Sequence, residues 1–140
     1  MEIACKQCGR RNRLKAADLA RPTRCGACKT ALTPVAEPID ADQALFDEVV
    51  QQATLPVLVD FWADWCAPCR AAAPEVKRVA ATMAGRALVL KVDTEQHPEI
   101  AARYHVQSIP NFVVLKNGRA VLQQAGVAAS TEMVRWIEES

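Results

Sequence analysis

The pattern of hydrophobic and polar positions between residue 40 and residue 140 alternates between helical and strand spacing. Residues 56–62 and 87–92 are apolar on both faces, which is typical of central strands that helices cover on both sides. Helical spacing predicts four helices around these strands, beginning at or near Asp40, Cys66, His97 and Ser130. This alternation indicates an α/β domain.

Turn and capping signals complete the order of the elements. Asp40 and Gln43 have the spacing of a capping box at the start of the first helix, and Ser130 is the expected cap of the last helix. Asn117-Gly118 separates two short apolar runs, which predicts a β-hairpin. The predicted order is α-β-α-β-α-β-β-α, a mixed sheet with a parallel part covered by helices and an antiparallel hairpin.

The beginning of the chain lacks this periodic pattern. Two prolines mark residues 34–39 as a linker. We therefore predict a small module at residues 1–33 and the main domain at residues 40–140.

Charge and hydrophobicity limit where the protein is expected to act. Residues 1–36 contain eight Lys or Arg and two acidic residues, which gives a net charge of +6. Residues 37–140 contain nine Lys or Arg and fourteen acidic residues, which gives a net charge of −5. The basic segment raises a nucleic-acid hypothesis, but it has no aromatic residue for base stacking, so nucleic-acid binding is not favoured. No export signal or membrane-spanning stretch is recognised. We expect a cytoplasmic protein without a membrane partner, in which paired cysteines are metal ligands or redox catalysts.

Cys66-Ala67-Pro68-Cys69 stands where a predicted buried strand passes into a helix. A cysteine at a helix N-terminus lies near unpaired N–H groups, which favour the thiolate, and a second cysteine one turn later lies on the same face. The Cys69 thiol can therefore hydrogen-bond the Cys66 thiolate and later attack a mixed disulfide. Half of a metal site is the alternative interpretation, but no fourth pair exists to complete it.

Asp60 lies within the predicted strand 56–62, on the same face as Leu58 and Trp62. These apolar neighbours favour burial over a solvent-facing position on an edge strand. Burial raises the pKa of a carboxyl group, which suits proton transfer near neutral pH. We therefore predict that Asp60 takes part in catalysis.

This part of the sequence resembles the thioredoxin family. Residues 59–70, which read Val-Asp-Phe-Trp-Ala-Asp-Trp-Cys-Ala-Pro-Cys-Arg, are close to the family signature. Further matches are Pro74, Lys91-Val92-Asp93, the segment from Tyr104 to Pro110, Lys116-Asn117-Gly118 and Gly126. The resemblance covers residues 37–140 and implies a thioredoxin fold that performs thiol–disulfide exchange.

The resemblance also implies a role for each residue of the site. Cys66 is expected to be the nucleophile, Cys69 the buried resolving thiol, and Asp60 the carboxylate that exchanges a proton with Cys69. Pro110 is expected to be cis and to place the Ile109 backbone beside a substrate chain, so that many protein disulfides are accepted. The expected substrate-binding residues are Trp65, Ala67, Pro68, Ile109, Pro110 and Gly126.

Three positions depart from the family pattern. Ala67 stands where glycine is usual, Asn111 replaces a common threonine after the cis-proline, and Val127 replaces a common alanine. The first departure bears on the active-site turn and the redox potential, and the other two bear on the preference for targets.

The remaining four cysteines have the spacing of a structural zinc site, Cys5-x2-Cys8-x16-Cys25-x2-Cys28. Gly9 and Gly26 are expected to permit the turn geometry around the two pairs. The segment is too short to fold by burial alone, so a bound metal is expected to supply its folding energy. Two disulfides or two further redox centres are the alternatives, but neither pair has the strand, tryptophan and proline context of the third.

With this module, the sequence resembles the zinc-containing, thioredoxin 2-like subfamily of bacteria. The resemblance implies protein disulfides as substrates, an NADPH-dependent thioredoxin reductase as electron donor, and no organic cofactor of the chain's own. It also implies one structural Zn²⁺ held by Cys5, Cys8, Cys25 and Cys28. Two alternatives remain: a chaperone or redox sensor in which oxidation releases zinc, and a zinc-ribbon nucleic-acid-binding module that carries a thioredoxin domain.

Overall fold

A computed structural model describes residues 1–140. The chain forms a two-stranded sheet near its N-terminus and a five-stranded mixed sheet flanked by four helices. The strands are β1 (Glu2–Ala4), β2 (Arg11–Arg13), β3 (Ile39–Asp40), β4 (Val57–Trp62), β5 (Leu88–Asp93), β6 (Asn111–Lys116) and β7 (Arg119–Ala125). The helices are α1 (Gln43–Gln52), α2 (Ala67–Thr82), α3 (Pro98–Arg103) and α4 (Ser130–Glu139), and a 3₁₀ helix spans Ala16–Ala20.

The large sheet has the strand order β3-β5-β4-β6-β7. Strands β3, β5 and β4 are parallel, and β6 and β7 form the predicted antiparallel hairpin. The central strands are buried on both faces, as the continuous apolar runs predict. The predicted mixed α/β sheet is therefore confirmed.

Alternate residues of β4 point to opposite sides of the sheet, where two separate cores lie. Val59 and Phe61 pack in the core that contains Phe46 of α1. Leu58 packs with residues of α2 and α4 in the second core. Because side chains in a strand alternate, Asp60 points to the same side as Leu58, toward α2.

Both predicted helix caps and the start of the sheet differ from the structure. The cap of α1 is Asp42, whose Oδ1 accepts the Leu45 backbone N–H at 2.8 Å. Asp40 instead lies opposite Lys91 in β3, and this strand is too short to give a periodic signal in the sequence. Ser130 is the first residue of α4, and no side chain at the preceding position caps that helix.

The N-terminal segment packs directly against helix α1. Ala16 and Leu19 are almost fully buried in the same core as Phe46 and Val49. The sequence pattern gave no indication of this shared core. The division of the chain at residues 34–39 stays a prediction, although Ile39 already pairs with Leu90 in the main sheet. No helix of the chain is both long and apolar enough to cross a membrane.

Candidate active site and cysteine cluster

Cys66 and Cys69 lie where the loop after β4 enters α2. Cys66 is the N-cap of the helix, with extended backbone angles, and its Sγ accepts the Cys69 backbone N–H at 3.1 Å. The two sulfurs form a disulfide, with the Cα atoms 5.2 Å apart. Both residues are buried, together with Ala63. The sequence-predicted cysteine pair is thus brought together at a helix N-terminus.

Asp60 is buried on the side of the sheet that faces α2. It is only 2% exposed, and its Oδ1 has no hydrogen-bond partner. Burial raises the pKa of Asp60 to about 7, although the positive charge of Lys91 on the neighbouring strand opposes the rise. The Lys91 ammonium lies 4.6 Å from the centre of the Trp62 ring. Asp60 is therefore able to gain or lose a proton near neutral pH.

A groove of about 490 Å³ opens beside Cys66. Its walls come from the active-site turn on one side and the loop before β6 on the other; they include Trp65, Ala67, Pro68, Val106, Gln107, Ser108 and Ile109. The Cys66 Sγ lies 3.6 Å from the carbonyl oxygen of Ile109. The Ile109–Pro110 peptide bond is cis, as the resemblance implied. A polypeptide lying in this groove would meet the reactive sulfur.

The sequence analysis missed the partner that orients Trp65. Trp65 is 66% exposed, and its indole N–H donates to Glu95 Oε1 at 2.9 Å. Glu95 follows β5 by two residues, so the parallel pairing of β4 and β5 brings it near the active-site turn. In the sequence, the only signal for this contact was that the ends of β4 and β5 lie side by side in a parallel sheet.

Gly126 and Asn111 lie beside the cis-proline. The Gly126 backbone N–H donates to the Pro110 carbonyl oxygen at 2.9 Å, and Gly126 has a positive φ of 95°. Asn111 is buried, and its Oδ1 accepts a hydrogen bond from Gln123 Nε2 at 3.0 Å. Val127 is 51% exposed next to this region. Gln123 was not recognised in the sequence, because its partner is on another strand.

The four N-terminal cysteines converge at a separate place. All four sulfurs lie within 4.8 Å of one another. The Cys5 and Cys28 sulfurs are 3.5 Å apart, and the Cys8 and Cys25 sulfurs are 3.6 Å apart. Tetrahedral zinc with bonds of 2.3 Å requires sulfurs about 3.8 Å apart. The cluster therefore fits a metal ion with four thiolate ligands.

Neighbouring groups shift the pKa values of two of these thiols in opposite directions. The backbone N–H groups of Cys28 and Ala27 lower the pKa of Cys25 to about 6. The Arg10 backbone N–H lowers the pKa of Cys8, but hydrogen bonds with the sulfurs of Cys28 and Cys25 raise it more, to about 11. Four thiolates at this distance repel one another, and a divalent cation at their centre would remove that repulsion.

Two similar turns present the four sulfurs. In the first, the Cys5 N–H donates to the Arg10 carbonyl at 2.8 Å; in the second, the Cys25 N–H donates to the Thr30 carbonyl at 2.8 Å. Gly9 has the positive φ expected of it, 80°, but Gly26 does not have a positive φ. In the second turn, the residue equivalent to Gly9 is Lys29, with φ 67°. The expected role of Gly26 in the backbone geometry is therefore wrong.

The fold and the site together define a class of protein. A mixed sheet whose central strand leads into a Cys-x-x-Cys disulfide at a helix N-terminus, beside a cis-proline loop, is the arrangement of a thiol–disulfide oxidoreductase. The sequence matches the thioredoxin family over residues 37–139, and the chain belongs to that family.

Known proteins resemble the chain both within this domain and over its whole length. Thioredoxin C-3 of Corynebacterium nephridii is 35% identical over 139 residues, which cover 99% of this chain and 94% of the relative. Thioredoxin 1 of Chlorobaculum tepidum is 41% identical over 87 residues, 62% of this chain and 86% of the relative. Among solved structures, a mutant thioredoxin from Halobacterium salinarum NRC-1 superposes with a TM-score of 0.69 at 30% identity, over 75% of this chain and 91% of that one.

Proposed function

We propose that the chain reduces disulfides in many different proteins through the Cys66/Cys69 dithiol. The observation that carries the proposal is the hydrogen bond of 3.1 Å from the Cys69 backbone N–H to the Cys66 sulfur, at the start of α2. In the reduced protein, this N–H and the positive end of the helix stabilise a thiolate on Cys66. Cys66 lines the groove and Cys69 does not, so Cys66 is the sulfur that meets a substrate.

The reaction then proceeds in two exchanges. The Cys66 thiolate attacks one sulfur of the substrate disulfide, which forms a mixed disulfide and releases the other substrate sulfur as a thiolate. Cys69, after losing its proton, attacks the Cys66 sulfur. This second step releases the reduced substrate and leaves the Cys66–Cys69 disulfide. Two electrons pass from the dithiol to the substrate.

Asp60 is the proposed acceptor of the Cys69 proton. Its side chain is buried on the α2 side of β4, and its pKa of about 7 lets it be charged before the second exchange and neutral after it. The unpartnered Oδ1 is free to receive the proton.

The groove supplies recognition in this proposal. Trp65, Ala67 and Pro68 form one wall, and Ile109 forms part of the other. Backbone groups of the cis-proline loop can pair with a substrate backbone whatever its side chains, which is compatible with broad specificity. Pro110 and Gly126 fix that loop through their mutual hydrogen bond.

The N-terminal cysteines are proposed to hold one structural Zn²⁺. The support is the cluster of four sulfurs within 4.8 Å of one another, a donor set that suits Zn²⁺. The ion would cross-link the two turns and take no part in disulfide exchange. With such an ion, the chain would belong to the zinc-containing thioredoxin 2-like subfamily. A thioredoxin reductase that uses NADPH would recycle the disulfide, and a reducing cytosol would suit both centres.

Coupled insulin reduction tests the proposal. With NADPH, a purified thioredoxin reductase and the chain, we expect NADPH oxidation that depends on insulin. Dithiothreitol replaces the reductase in a second arm. Activity with dithiothreitol alone would contradict recycling by thioredoxin reductase. No acceleration of insulin reduction in either arm would overturn the proposed disulfide reductase.

A further inference from the structure

The loop that joins α3 to β6, residues 104–110, forms the wall of the groove opposite the active-site turn. This loop brings the Ile109 carbonyl oxygen to 3.6 Å from the Cys66 sulfur. The backbone N–H groups of Gln107, Ser108 and Ile109 make no hydrogen bond within the protein. The middle of the loop therefore has little of its own structure to hold it in place.

One side chain outside the loop holds both of its ends. Gln123 lies on the edge strand β7, and its Nε2 donates to the Tyr104 carbonyl oxygen at 2.9 Å and to Asn111 Oδ1 at 3.0 Å. Tyr104 is the residue after α3, and Asn111 is the first residue of β6. A single amide NH₂ has two hydrogens, so these two acceptors use its full donor capacity.

Asn111 is the fixed end of this contact. It is buried, it follows the cis-proline directly, and it is fixed in the sheet opposite Phe61 and Ala125. Loss of the Gln123 contact would therefore remove the link between this fixed residue and the Tyr104 end of the loop.

We infer that Gln123 is a positioning residue for disulfide exchange, which sets the substrate-binding loop against Cys66 by clamping Tyr104 to Asn111. The inference rests on the proposed reduction of protein disulfides at that site. Gln123 does not line the groove, so it acts on substrate only through the loop. A protein substrate, which must pair with the loop, depends on this clamp. A small disulfide that needs only the sulfur does not.

Gln124 provides a matched control. It has the same side chain on the same strand, is also exposed, and makes no hydrogen bond through its side chain. Because side chains alternate along a strand, it points to the other face. Gln123→Leu and Gln124→Leu therefore expose the same new apolar group, but only the first removes the clamp. Gln123→Glu keeps size and polarity and removes both N–H donors.

The experiment compares insulin with a small aromatic disulfide as substrates of the full-length protein. For Gln123→Leu and Gln123→Glu, we expect KM for insulin to rise about threefold to tenfold, as loss of one exposed and one part-buried hydrogen bond predicts, with kcat/KM for the small disulfide unchanged. Hydrogen exchange at the hydrogen-bonded amides of residues 104–106 should become faster in both variants. Gln124→Leu should match wild type in all three measurements.

Several outcomes would overturn the inference. Equal KM for insulin in Gln123→Leu and Gln124→Leu would do so, as would equal losses on both substrates, which would indicate general destabilisation. Restoration of wild-type KM in Gln123→Glu would show that polarity alone matters. Failure of wild type itself to reduce insulin would contradict the proposed function instead, and hydrogen exchange would still report whether the clamp exists.

Discussion

The pair Cys66/Cys69 and the pairs Cys5/Cys8 and Cys25/Cys28 have the same two-residue spacing, but the chain behaves differently after each pair. After Cys69 the backbone continues as helix α2 to Thr82. After Cys8 and Cys28 it enters the left-handed region at the next residue and turns back.

This difference decides what the sulfurs can contact. In the helical pair, the two sulfurs of the same turn bond to each other as a disulfide. In each N-terminal turn, the first cysteine's N–H is used by a carbonyl five residues later, and the nearest sulfur lies on the other turn. The helical form favours an exchangeable dithiol, whereas the turned form favours a shared cation.

The surroundings differ as well. The active pair is buried beside a groove that ends at Ile109. In the N-terminal cluster, the first cysteine of each turn is buried (Cys5 and Cys25), and the second cysteine is exposed. We therefore expect substitutions at the two kinds of pair to fail in different ways.

The largest expected effect is on catalysis. Cys66→Ser removes the attacking sulfur, so insulin reduction should fall to the rate without enzyme. Cys69→Ser should still attack and should accumulate mixed disulfides with protein targets, detectable by gel shift and mass spectrometry. Cys28→Ser is the control from the other kind of pair and should keep reductase activity. Near-normal turnover in Cys66→Ser would make the assignment of the nucleophile wrong.

The metal content should respond to substitutions in the N-terminal cluster and not to substitutions in the active pair. Protein purified under reducing conditions without chelators should contain about one zinc per chain, the stoichiometry of a single four-thiolate site. Cys25→Ser should lose the metal and loosen residues 1–33, because the proposed zinc–thiolate bonds would stabilise that segment. Cys66→Ser should keep its zinc. Metal-free wild type would contradict the zinc assignment.

Asp60, the proposed proton acceptor for the active pair, should make the stability of the fold depend on pH. Its carboxyl ionises near pH 4 in the unfolded chain and near pH 7 in the fold, so the folded chain holds more protons between these values and stability falls as pH rises through them. Above pH 7, the ionised Asp60 lowers the free energy of unfolding by at most about 4 kcal/mol. Asp60→Asn should therefore be more stable than wild type at pH 8 and lose that advantage by pH 4 in denaturant titrations.

The same substitution should slow insulin reduction near neutral pH, because the proposed acceptor of the Cys69 proton is lost. The slowing should shrink at higher pH, where Cys69 deprotonates without help. An unchanged pH–rate profile in Asp60→Asn would make Asp60 structural only.

The dependence of one region on the other is the next prediction. Residues 37–140 include the whole family match, so deletion of residues 1–34 is expected to leave a folded, active reductase. Its stability should fall, because the deletion uncovers Phe46 and Val49, against which Leu19 packs. Leu19→Ala in the full chain should cost about 2–5 kcal/mol of unfolding free energy.

Leu32→Ala serves as the control, since Leu32 lies in the same segment outside the shared core and is only partly buried. An unfolded deletion variant would contradict separability. Equal costs for Leu19→Ala and Leu32→Ala in urea denaturation would contradict the shared core.

The parts of the fold that the sequence predicted are those with a strong local signal. Long apolar runs specify the central strands β4 and β5, and Asn117-Gly118 specifies the hairpin. The two-residue strand β3 has no such run, so Asp40 was mistaken for a helix cap.

Contacts between distant elements were beyond sequence reasoning for a related reason. Leu19 is one of the few large apolar residues in the N-terminal segment, and only the three-dimensional arrangement places it in the core that contains α1. Glu95 and Gln123 act through partners 30 and 12 residues away. Cysteine spacing, in contrast, predicted that the two cysteines of each pair lie close together, because a short loop fixes the separation of its own ends.

The smallest expected effect separates the two N-terminal turns from each other. Gly9 and Lys29 occupy the left-handed position after the second cysteine, whereas Gly26 does not. Gly9→Ala should cost about 1 kcal/mol, because a side chain is disfavoured at positive φ. Lys29→Gly should relieve a similar strain and so raise stability, but the greater freedom of the unfolded chain should offset part of this gain. Gly26→Ala should be tolerated, since a Cβ there would lie no closer than 3.7 Å to any neighbour. Zinc affinity measured by chelator competition in the three variants tests this order. A loss for Gly26→Ala as large as that for Gly9→Ala would mean that the glycines follow the cysteines for a reason other than backbone angle.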